Sequence, residues 1–440
     1  MISLISPLPL VLLGSLLLLA LAIICWRSTL WGVYGLTFLL PSYLIRFRLF
    51  SLPTTVLECA IILVFLIWLW RIKIWQQIKL RGPRFNRLTP ALRWCLTLIL
   101  ISATISAFIS PAQTAAWGIW KAYFLEPLMV FLVALYTIQT RRQIITVCRI
   151  LGLWIIILFP LACWQYFTGL WIPKIYWALA VTRRVTTIFG YPNGTSLFIA
   201  PIIALMAGLL TQTREKRWQI FYAAVIILGL LIIIWAKTAG ALIALAAVGL
   251  YLLWHNKKTR PLAVILSLLA VISITFYLTS AGFQTQRQHI GQNTLTLTST
   301  SLEIRLDQWQ ESINMLSDHW LLGAGLAGYQ TMLIPYHQHD FIEIFLYPHN
   351  ILLNFWSELG LLGLIAFGWL LIYLLKALWP QLKKPDAIAL GLFLAYLVII
   401  IHGLVDVPYF RNDLSALFFL LTAISLILLH PKELIPTTDN

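Results

Sequence analysis

Residues 218–254 read WQIFYAAVIILGLLIIIWAKTAGALIALAAVGLYLLW and contain a single charged residue, Lys237. The lysine separates two apolar runs, at 218–235 and 239–254. Roughly 20 apolar residues in a helix are needed to cross the hydrocarbon core of a bilayer. This stretch therefore predicts two transmembrane helices joined by a short connection at 236–238.

Long apolar runs recur over most of the 440 residues. Hydrophobic residues make up 60% of the chain and charged residues 10%, whereas a soluble domain is about half apolar and about a quarter charged. This composition excludes a water-soluble globule, a disordered chain, a disulfide-stapled secreted module and a nucleic-acid-binding domain. We expect an all-α, polytopic integral membrane bundle of 12 or 13 transmembrane helices. The candidate spans are 8–25, 29–45, 53–70, 92–109, 119–138, 149–166, 195–211, 218–235, 239–254, 262–280, 350–376, 388–405 and 413–430.

Lysine and arginine outnumber aspartate and glutamate by 31 to 15, which gives a formal net charge of +16. Short basic segments between the spans alternate onto one side of the membrane, which the positive-inside rule identifies as the cytoplasm. We therefore expect a multi-pass membrane protein with its active face on the opposite, outer side. Thirteen spans place Arg46 and Arg48 outside, against the rule, so 12 spans with one early segment merged or re-entrant remain an alternative. The basic segments are 71–93, 141–149, 211–218, 255–261 and 376–386.

A predicted periplasmic loop at 281–349 separates N-terminal transmembrane helices, at 1–280, from C-terminal ones, at 350–440. The loop is too long for a simple connection and holds five of the eight histidines. Apolar residues recur in it at helical spacing over 301–316. This pattern predicts an amphipathic helix on the membrane or on the bundle, with Arg305 on its flank. The apolar positions are Leu302, Leu306, Trp309, Ile313 and Leu316.

Several basic residues fall on the expected periplasmic side, where the topology rule does not account for them. Guanidinium and ammonium groups near the ends of spans suit a diphosphate or a carboxylate ligand. The alternative for each residue is that it reaches toward lipid headgroups. For the set as a whole we favour an anion site. Its candidates are Lys121, Lys174, Arg183, Arg184, Lys237, Arg287, Arg305 and Arg411.

His349 is the most informative single residue, because the run Tyr347–Pro348–His349–Asn350 opens a late span at the outer membrane edge. A neutral imidazole there can accept a proton from a hydroxyl nucleophile. A histidine that only caps the helix or makes a hydrogen bond fits the same pattern.

Other polar residues fall in or beside the spans. Glu126 follows Lys121 by five residues inside a span, where a carboxylate is either functional or half of a structural ion pair. His402 and Asp406 end a span on the outer side, and their i,i+4 spacing puts both on one helix face. The histidines lack the spacing of metal ligands, so we expect neither a metal nor a cofactor.

Three motifs now carry a resemblance to a family. His349–Asn350, nine residues, Gly360, two residues and Gly363 resemble the H-N-x9-G-x2-G signature of bacterial O-antigen ligases and their O-antigen polymerase relatives, a superfamily of polytopic membrane glycosyltransferases. Arg305, Trp309 and the later Gly323–Ala324–Gly325–Leu326 resemble the stretch that precedes this signature. The third motif, after Arg183–Arg184, is the run Gly190–Tyr191–Pro192–Asn193.

The resemblance implies about twelve transmembrane helices, a long periplasmic loop, and transfer of a glycan from undecaprenyl diphosphate to an acceptor hydroxyl without metal or nucleotide. The acceptor would be lipid A-core in a ligase, another lipid-linked glycan in an O-antigen, capsule or exopolysaccharide polymerase, and a protein in an O-oligosaccharyltransferase. The family's loop histidine and arginine carry over to His349 and Arg305. Lys237 stands where the family commonly has arginine. Lysine keeps the positive charge but lacks the bidentate fork of the guanidinium group.

We therefore expect catalysis by His349 and Arg305 and diphosphate binding by the other cations. We also expect direct attack on the anomeric carbon, which inverts it. A membrane transporter or flippase is the alternative from another class, and it predicts internal pseudo-symmetry and polar residues at mid-bilayer. A non-catalytic assembly protein leaves the outer basic residues without a role. The diphosphate candidates are Arg183, Arg184, Lys237, Lys121 and Arg411, and the supporting residues are Asn193, Asn350, Gly360, Gly363, Glu126, Asp406 and His402.

Overall fold

A computed structural model describes residues 7–49, 52–72, 88–279, 301–339 and 342–429. The protein is 78% helical, and the strands of the described residues form one two-stranded hairpin. The expected all-α class is confirmed. The first part of the predicted periplasmic loop, 281–300, and most of the basic segment 71–93 lie outside the described residues.

The helices follow one another with short connections over most of the chain. In chain order they are α1 (Pro7–Arg27), α2 (Thr29–Phe38), α3 (Val56–Ile72), α4 (Pro90–Ile109), α5 (Gln113–Trp120), α6 (Glu126–Thr137), α7 (Arg141–Thr168), α8 (Ile175–Ala178), α9 (Pro192–Leu210), α10 (Lys216–Ala236), α11 (Ala239–His255), α12 (Arg260–Thr279), α13 (Ser301–Asp318), α14 (Tyr329–Leu333), α15 (Ile351–Leu378), α16 (Ala387–Gly403) and α17 (Asn412–Leu429). A π-helical turn, Lys121–Leu125, joins α5 to α6, and the strands are β1 (Arg46–Leu49) and β2 (Leu52–Thr55).

Within the described residues, seven helical segments are long and apolar enough to cross a membrane. The predicted runs at 239–254 and 388–405 form the shorter apolar helices α11 and α16. The protein is therefore a multi-pass membrane protein, and the choice between 12 and 13 spans stays a prediction. The seven segments are Pro90–Ile109, Gln113–Thr137, Arg141–Thr168, Pro192–Leu210, Lys216–Ala236, Ile351–Lys383 and Asn412–Leu429.

Helices α9, α16 and α17 form the centre of the bundle, since nearly all their side chains are buried. A Cβ atom on Gly208 of α9 would lie 2.3 Å from the Cα of Gly391 on α16. Small residues of this kind let two helix backbones approach closely inside a membrane. This contact fixes the relative position of α9 and α16, whose other ends carry Asn193 and His402.

The helix that follows His349 is broken at Gly360, which has φ 70° and ψ −177° within α15. The loop after α13 fills the break: Leu361 N donates to Leu321 O at 3.0 Å, and Ala324 N donates to Ser357 O at 2.6 Å. A Cβ on Gly360 would lie 2.5 Å from Leu321 O. Non-helical backbone is tolerated at membrane depth where protein buries it and satisfies its polar groups. The broken helix therefore holds the α13 loop against the bundle.

The amphipathic helix predicted at 301–316 is confirmed as α13. Leu302 and Ile313 are exposed on it, as an apolar face toward lipid would be. Its acidic face is buried: Glu311 Oε2 lies 3.1 Å from His337 Nδ1, and Asp307 Oδ1 lies 3.7 Å from His339 Nε2. The acidic residues of α13 thus hold the segment that leads toward His349.

Candidate active site

A polar cavity opens where the ends of α9, α10, α11 and α16 meet the flank of α13. It encloses about 500 Å³ of open space. Segments far apart in the sequence line it, and they bring together six of the residues predicted for the site. The polar cavity is lined by Arg184, Asn193, Lys237, Thr238, Ala239, Gly240, Arg305, His402, Val405 and Asp406.

Asp406 accepts hydrogen bonds from several elements and lies near positively charged side chains. Asn193 Nδ2 donates to its Oδ2 at 2.7 Å, and the backbone N of Val407 donates to its Oδ1 at 2.9 Å. Arg305 Nη2 lies 4.0 Å from Oδ2. Burial of Asp406 opposes ionisation, but the hydrogen bond from His349 and the nearby positive charges outweigh it and lower the pKa of Asp406. Asp406 is therefore a carboxylate at neutral pH.

His349 lies beside the polar cavity, with its Nδ1 atom 3.4 Å from Oδ1 of Asp406. Its backbone has φ 48°, in the left-handed region that non-glycine residues rarely adopt. Two side chains of α13 hold the preceding residues: Trp309 Nε1 donates to Pro348 O at 2.7 Å, and Gln308 Nε2 donates to Tyr347 O at 3.1 Å. Among the described residues the Nε2 atom has no hydrogen-bond partner, so one face of the imidazole is open to a ligand.

Asn350 ties His349 to the loop that carries Asp406. Its Oδ1 caps α15 by accepting from Leu352 N at 2.9 Å and from Leu353 N at 3.1 Å. Its Nδ2 donates to Leu404 O at 3.1 Å. The adjacent pair His349–Asn350 is thus fixed to the α16–α17 connection by both side chains.

Arg184 and Lys237 come together at the α10–α11 turn. Arg184 Nε donates to Ala236 O at 2.9 Å, and its Nη2 donates to Asn193 Oδ1 at 3.2 Å. Burial, followed by the charge of Arg305, lowers the pKa of Arg184. Lys237 caps α10 with φ 51°, and its ammonium donates to Val181 O at 3.4 Å. With Arg305, these residues put three cationic side chains around one cavity.

Two buried side chains of the polar cavity, His402 and Thr238, have no hydrogen-bond partner among the described residues. Both ring nitrogens of His402 and the hydroxyl of Thr238 are unpaired, at 1% and 4% residue exposure. Gly240 allows His402 to approach, since a Cβ there would lie 3.0 Å from the imidazole ring. Buried polar groups nearly always find a partner, so these two are ready to bind a polar ligand.

The other cations predicted for the same site lie elsewhere. Arg183 braces its own loop, since its guanidinium donates to Ala178 O, Tyr166 O and Phe167 O at 2.9–3.1 Å. Lys121 and Arg411 line a second space of about 820 Å³, here called the hairpin cavity, together with Arg46 of β1. The residues predicted to bind an anion therefore lie in two separate cavities, except Arg183, which stabilises its own loop.

Charges in the hairpin cavity are largely paired. Lys121 Nζ lies 2.7 Å from Glu58 Oε2 and 3.9 Å from Glu126 Oε1. Arg411 binds Asp413 with both arms of its fork, at 2.6 and 2.8 Å. Arg46 lines the same cavity, so β1 lies at the Lys121 and Arg411 end of the bundle, the end that the topology rule assigns to the outside.

Residues 224–368 match the sequence model of the O-antigen ligase family. The chain carries an O-antigen ligase domain. The predicted resemblance to this family is confirmed. The family supports, in general terms, the function of a glycosyltransferase-like ligase or polymerase. No curated protein matches the chain.

The O-antigen ligase domain holds one half of the polar cavity. Five lining residues, Lys237, Thr238, Ala239, Gly240 and Arg305, lie inside the matched residues, as does His349 beside the cavity, and the other five come from segments on either side of the match. In the described part of the chain, no three His, Cys, Asp or Glu side chains converge in a way that suits a metal ion. The residues outside the match are Arg184, Asn193, His402, Val405 and Asp406.

Thr238 was missed as a site residue by sequence reasoning. A hydroxyl beside a membrane span is ordinary, and only its position directly after Lys237 marks it. Its place in the cavity lining, on the same cavity as His402, appears only in the folded structure.

Proposed function

We propose that the protein transfers a glycan from undecaprenyl diphosphate to an acceptor hydroxyl. The observation that carries the proposal is the His349–Asp406 pair beside a cavity lined by Arg184, Lys237 and Arg305. A glycosyl transfer from a lipid diphosphate needs a group that activates a hydroxyl and cations that stabilise the departing diphosphate. Both sets of groups meet at this cavity.

The cations would bind the diphosphate of the donor. Negative charge develops on the leaving oxygen as the bond to the sugar breaks, and preorganised cations stabilise that charge best. Arg305 lies close to Asp406 but forms no bidentate ion pair with it, so its guanidinium group can turn toward a phosphate. His402 and Thr238 would donate hydrogen bonds to the same group or to the first sugar.

His349 would act as the base that activates the acceptor. Asp406 accepts from Nδ1, which leaves Nε2 as the atom that takes the proton of the acceptor hydroxyl. The new bond joins the acceptor oxygen to the anomeric carbon, while the bond from that carbon to the diphosphate oxygen breaks. Direct displacement inverts the anomeric carbon, the proton rests on His349, and undecaprenyl diphosphate leaves. Each step uses side chains of the chain alone, so the proposed reaction is metal-independent.

The cavity would face the periplasm of a bacterial inner membrane. Support comes from the positive-inside rule, since the basic residues Arg141 and Arg214 lie at the opposite end of the bundle. The undecaprenyl tail would lie along lipid-exposed helix surfaces, and α13 would cover the reacting groups from the aqueous side. Loops of this kind commonly close on a bound substrate.

Lipid A-core is the acceptor that we propose first, as in an O-antigen ligase. A second lipid-linked glycan, as in a polymerase, or a protein, as in an O-oligosaccharyltransferase, uses the same donor chemistry. The test uses purified protein in nanodiscs with an undecaprenyl-diphosphate-linked glycan and each acceptor in turn. We expect acceptor-dependent release of undecaprenyl diphosphate that vanishes in His349→Ala. Lipid movement across a bilayer without release would instead indicate a flippase.

A further inference from the structure

A third cavity, here called the arginine cavity, lies at the opposite end of the bundle from the candidate active site. Asn193 at the start of α9 lines the polar cavity, whereas Leu209 near the end of α9 lines the arginine cavity. The 19 residues of α9 span about 28 Å, close to the hydrocarbon thickness of a bilayer. The arginine cavity encloses about 760 Å³, and its principal polar residues are Arg141, Arg149, Gln212, Arg214, Glu215 and Tyr222.

Three helix N-termini converge on this cavity. Helix α7 begins at Arg141, α10 begins at Lys216 next to Glu215, and α16 begins at Ala387, which also lines it. The N-terminus of a helix carries partial positive charge and exposed N–H groups that favour anions. Thr140 and Asp386 cap α7 and α16, but Glu215 makes no side-chain cap at α10. The N-termini of these helices therefore add partial positive charge at the cavity.

The arginines are held in place but incompletely paired. Arg149 Nε donates to Tyr222 OH at 3.0 Å, and its guanidinium carbon lies 3.2 Å from the centre of the Trp218 ring. Among the described residues its two terminal nitrogens have no acceptor, and Arg214 has no ion pair. Arg141 is paired with Asp386 at 2.6 Å, and Glu215 is paired with Arg217 at 2.7 Å. Two guanidinium groups thus remain available to an anion.

Arg149 lies within α7 rather than in the connecting loop, eight residues after Arg141 and about 12 Å along the helix. Its stacking on Trp218 presents a fixed donor group at the depth of the membrane interface. Apolar side chains of Ile145, Leu209 and Ile388 lie beside it in the same cavity.

We propose that the arginine cavity binds the phosphate of an anionic phospholipid headgroup. A phosphate suits the fork of Arg149 and the charge of Arg214, and the apolar part of the lining suits the start of an acyl chain. A soluble phosphate compound uses the same polar contacts but leaves the apolar part uncovered. The bound lipid would join α7, α10 and α16. This site is independent of glycan transfer.

The test titrates the full-length protein in detergent with phosphatidylglycerol, phosphatidylcholine and inorganic phosphate, and measures binding by native mass spectrometry. Arg149→Lys keeps the charge and loses the fork, and Arg214→Gln removes an unpaired, exposed charge. We expect the double variant to bind phosphatidylglycerol at least about tenfold more weakly, since a charged hydrogen bond contributes about 1.5–3 kcal/mol. Arg142→Gln, an exposed arginine next to Arg141 but outside the cavity lining, is the matched control and should change affinity by less than about twofold.

Three outcomes overturn the proposal. If phosphatidylcholine binds as tightly as phosphatidylglycerol, lipid charge plays no part in binding. If Arg142→Gln loses as much affinity as the double variant, the effect is one of general surface charge. Displacement of the lipid by inorganic phosphate at equal concentration would assign the cavity to a soluble anion. If the double variant fails to fold, Arg214→Gln alone still carries the test, because Arg214 is exposed and unpaired within the described residues.

Discussion

The Nδ1 atom of His349 lies 3.4 Å from a carboxylate oxygen of Asp406, although 57 residues separate them in the sequence. Asn193 supports the carboxylate from a third element at 2.7 Å. This relationship fixes the orientation of the imidazole and places a carboxylate beside it. It is the pair that the proposed chemistry needs.

Replacement of either member of this pair should slow transfer while leaving membrane insertion intact. We expect His349→Ala to abolish acceptor-dependent release of undecaprenyl diphosphate. Asp406→Asn should lower kcat by about 10²–10⁴-fold, because the amide no longer orients the imidazole or stabilises its charge. His319→Ala, another histidine of the same loop with no side-chain contact to the cavity, is the control. Normal turnover in Asp406→Asn would remove the dyad from the mechanism.

Arg305 should contribute through both its charge and its fork. Arg305→Ala is expected to lower kcat by about 10²–10³-fold, as for loss of a group that stabilises leaving-group charge, and Arg305→Lys should recover only part of that loss. Lys174, a candidate of the predicted anion site, is exposed and does not line the polar cavity, so Lys174→Ala should leave the rate unchanged. Full activity in Arg305→Lys would show that charge alone is sufficient.

Thr238→Val should separate ligand binding from folding. The hydroxyl has no partner among the described residues, so its removal should leave the melting temperature unchanged or slightly raised. Donor KM should rise about tenfold if the hydroxyl binds the donor. Thr137→Val removes another unpaired hydroxyl outside the polar cavity, so it should affect the melting temperature in the same way but leave donor KM unchanged. An unchanged donor KM in Thr238→Val would argue against a ligand at this position.

The segment 334–339 should be held more tightly to α13 at low pH than at high pH. Burial lowers the pKa of His337, but the hydrogen bond to Glu311, the charge of Glu311 and backbone hydrogen bonds together outweigh burial and raise the pKa above the ordinary value of about 6.5. The resulting stabilisation is complete below that value and is lost as pH rises through the folded-state pKa. Hydrogen exchange in this segment should speed up over that range beyond the intrinsic pH effect, and His337→Gln should abolish the extra change.

Gly360→Ala should destabilise the protein, because φ 70° is unfavourable for alanine and the new Cβ would approach Leu321 O to 2.5 Å. A positive φ combined with ψ −177° is a backbone region essentially restricted to glycine, and a strained conformation of this kind costs roughly 1–3 kcal/mol. Gly368→Ala lies on the same helix with open space around its Cβ, and helix propensity favours alanine there. Thermal unfolding in detergent should show a lower midpoint for the first variant and an equal or higher one for the second.

The helices around Lys237 and the amphipathic α13 could be predicted, since hydropathy and periodicity are properties of a short stretch of chain. His349 and Arg305 could be proposed as catalytic residues from their motif, and that proposal stays a prediction. The role of Arg183 could not, because three backbone carbonyls take up its guanidinium, and a sequence does not show which carbonyls a folded loop turns toward it.

The sequence by itself determined that this chain is a helical membrane bundle with an O-antigen ligase domain, because long apolar runs must be helical in lipid and short motifs identify a family. Tertiary structure decided that Asp406 faces His349, that Thr238 and His402 share a buried surface, and that the basic residues divide among separate cavities. Those relationships depend on how α9, α13, α15 and α16 pack. Packing is a property of all the segments together, so no single stretch contains it.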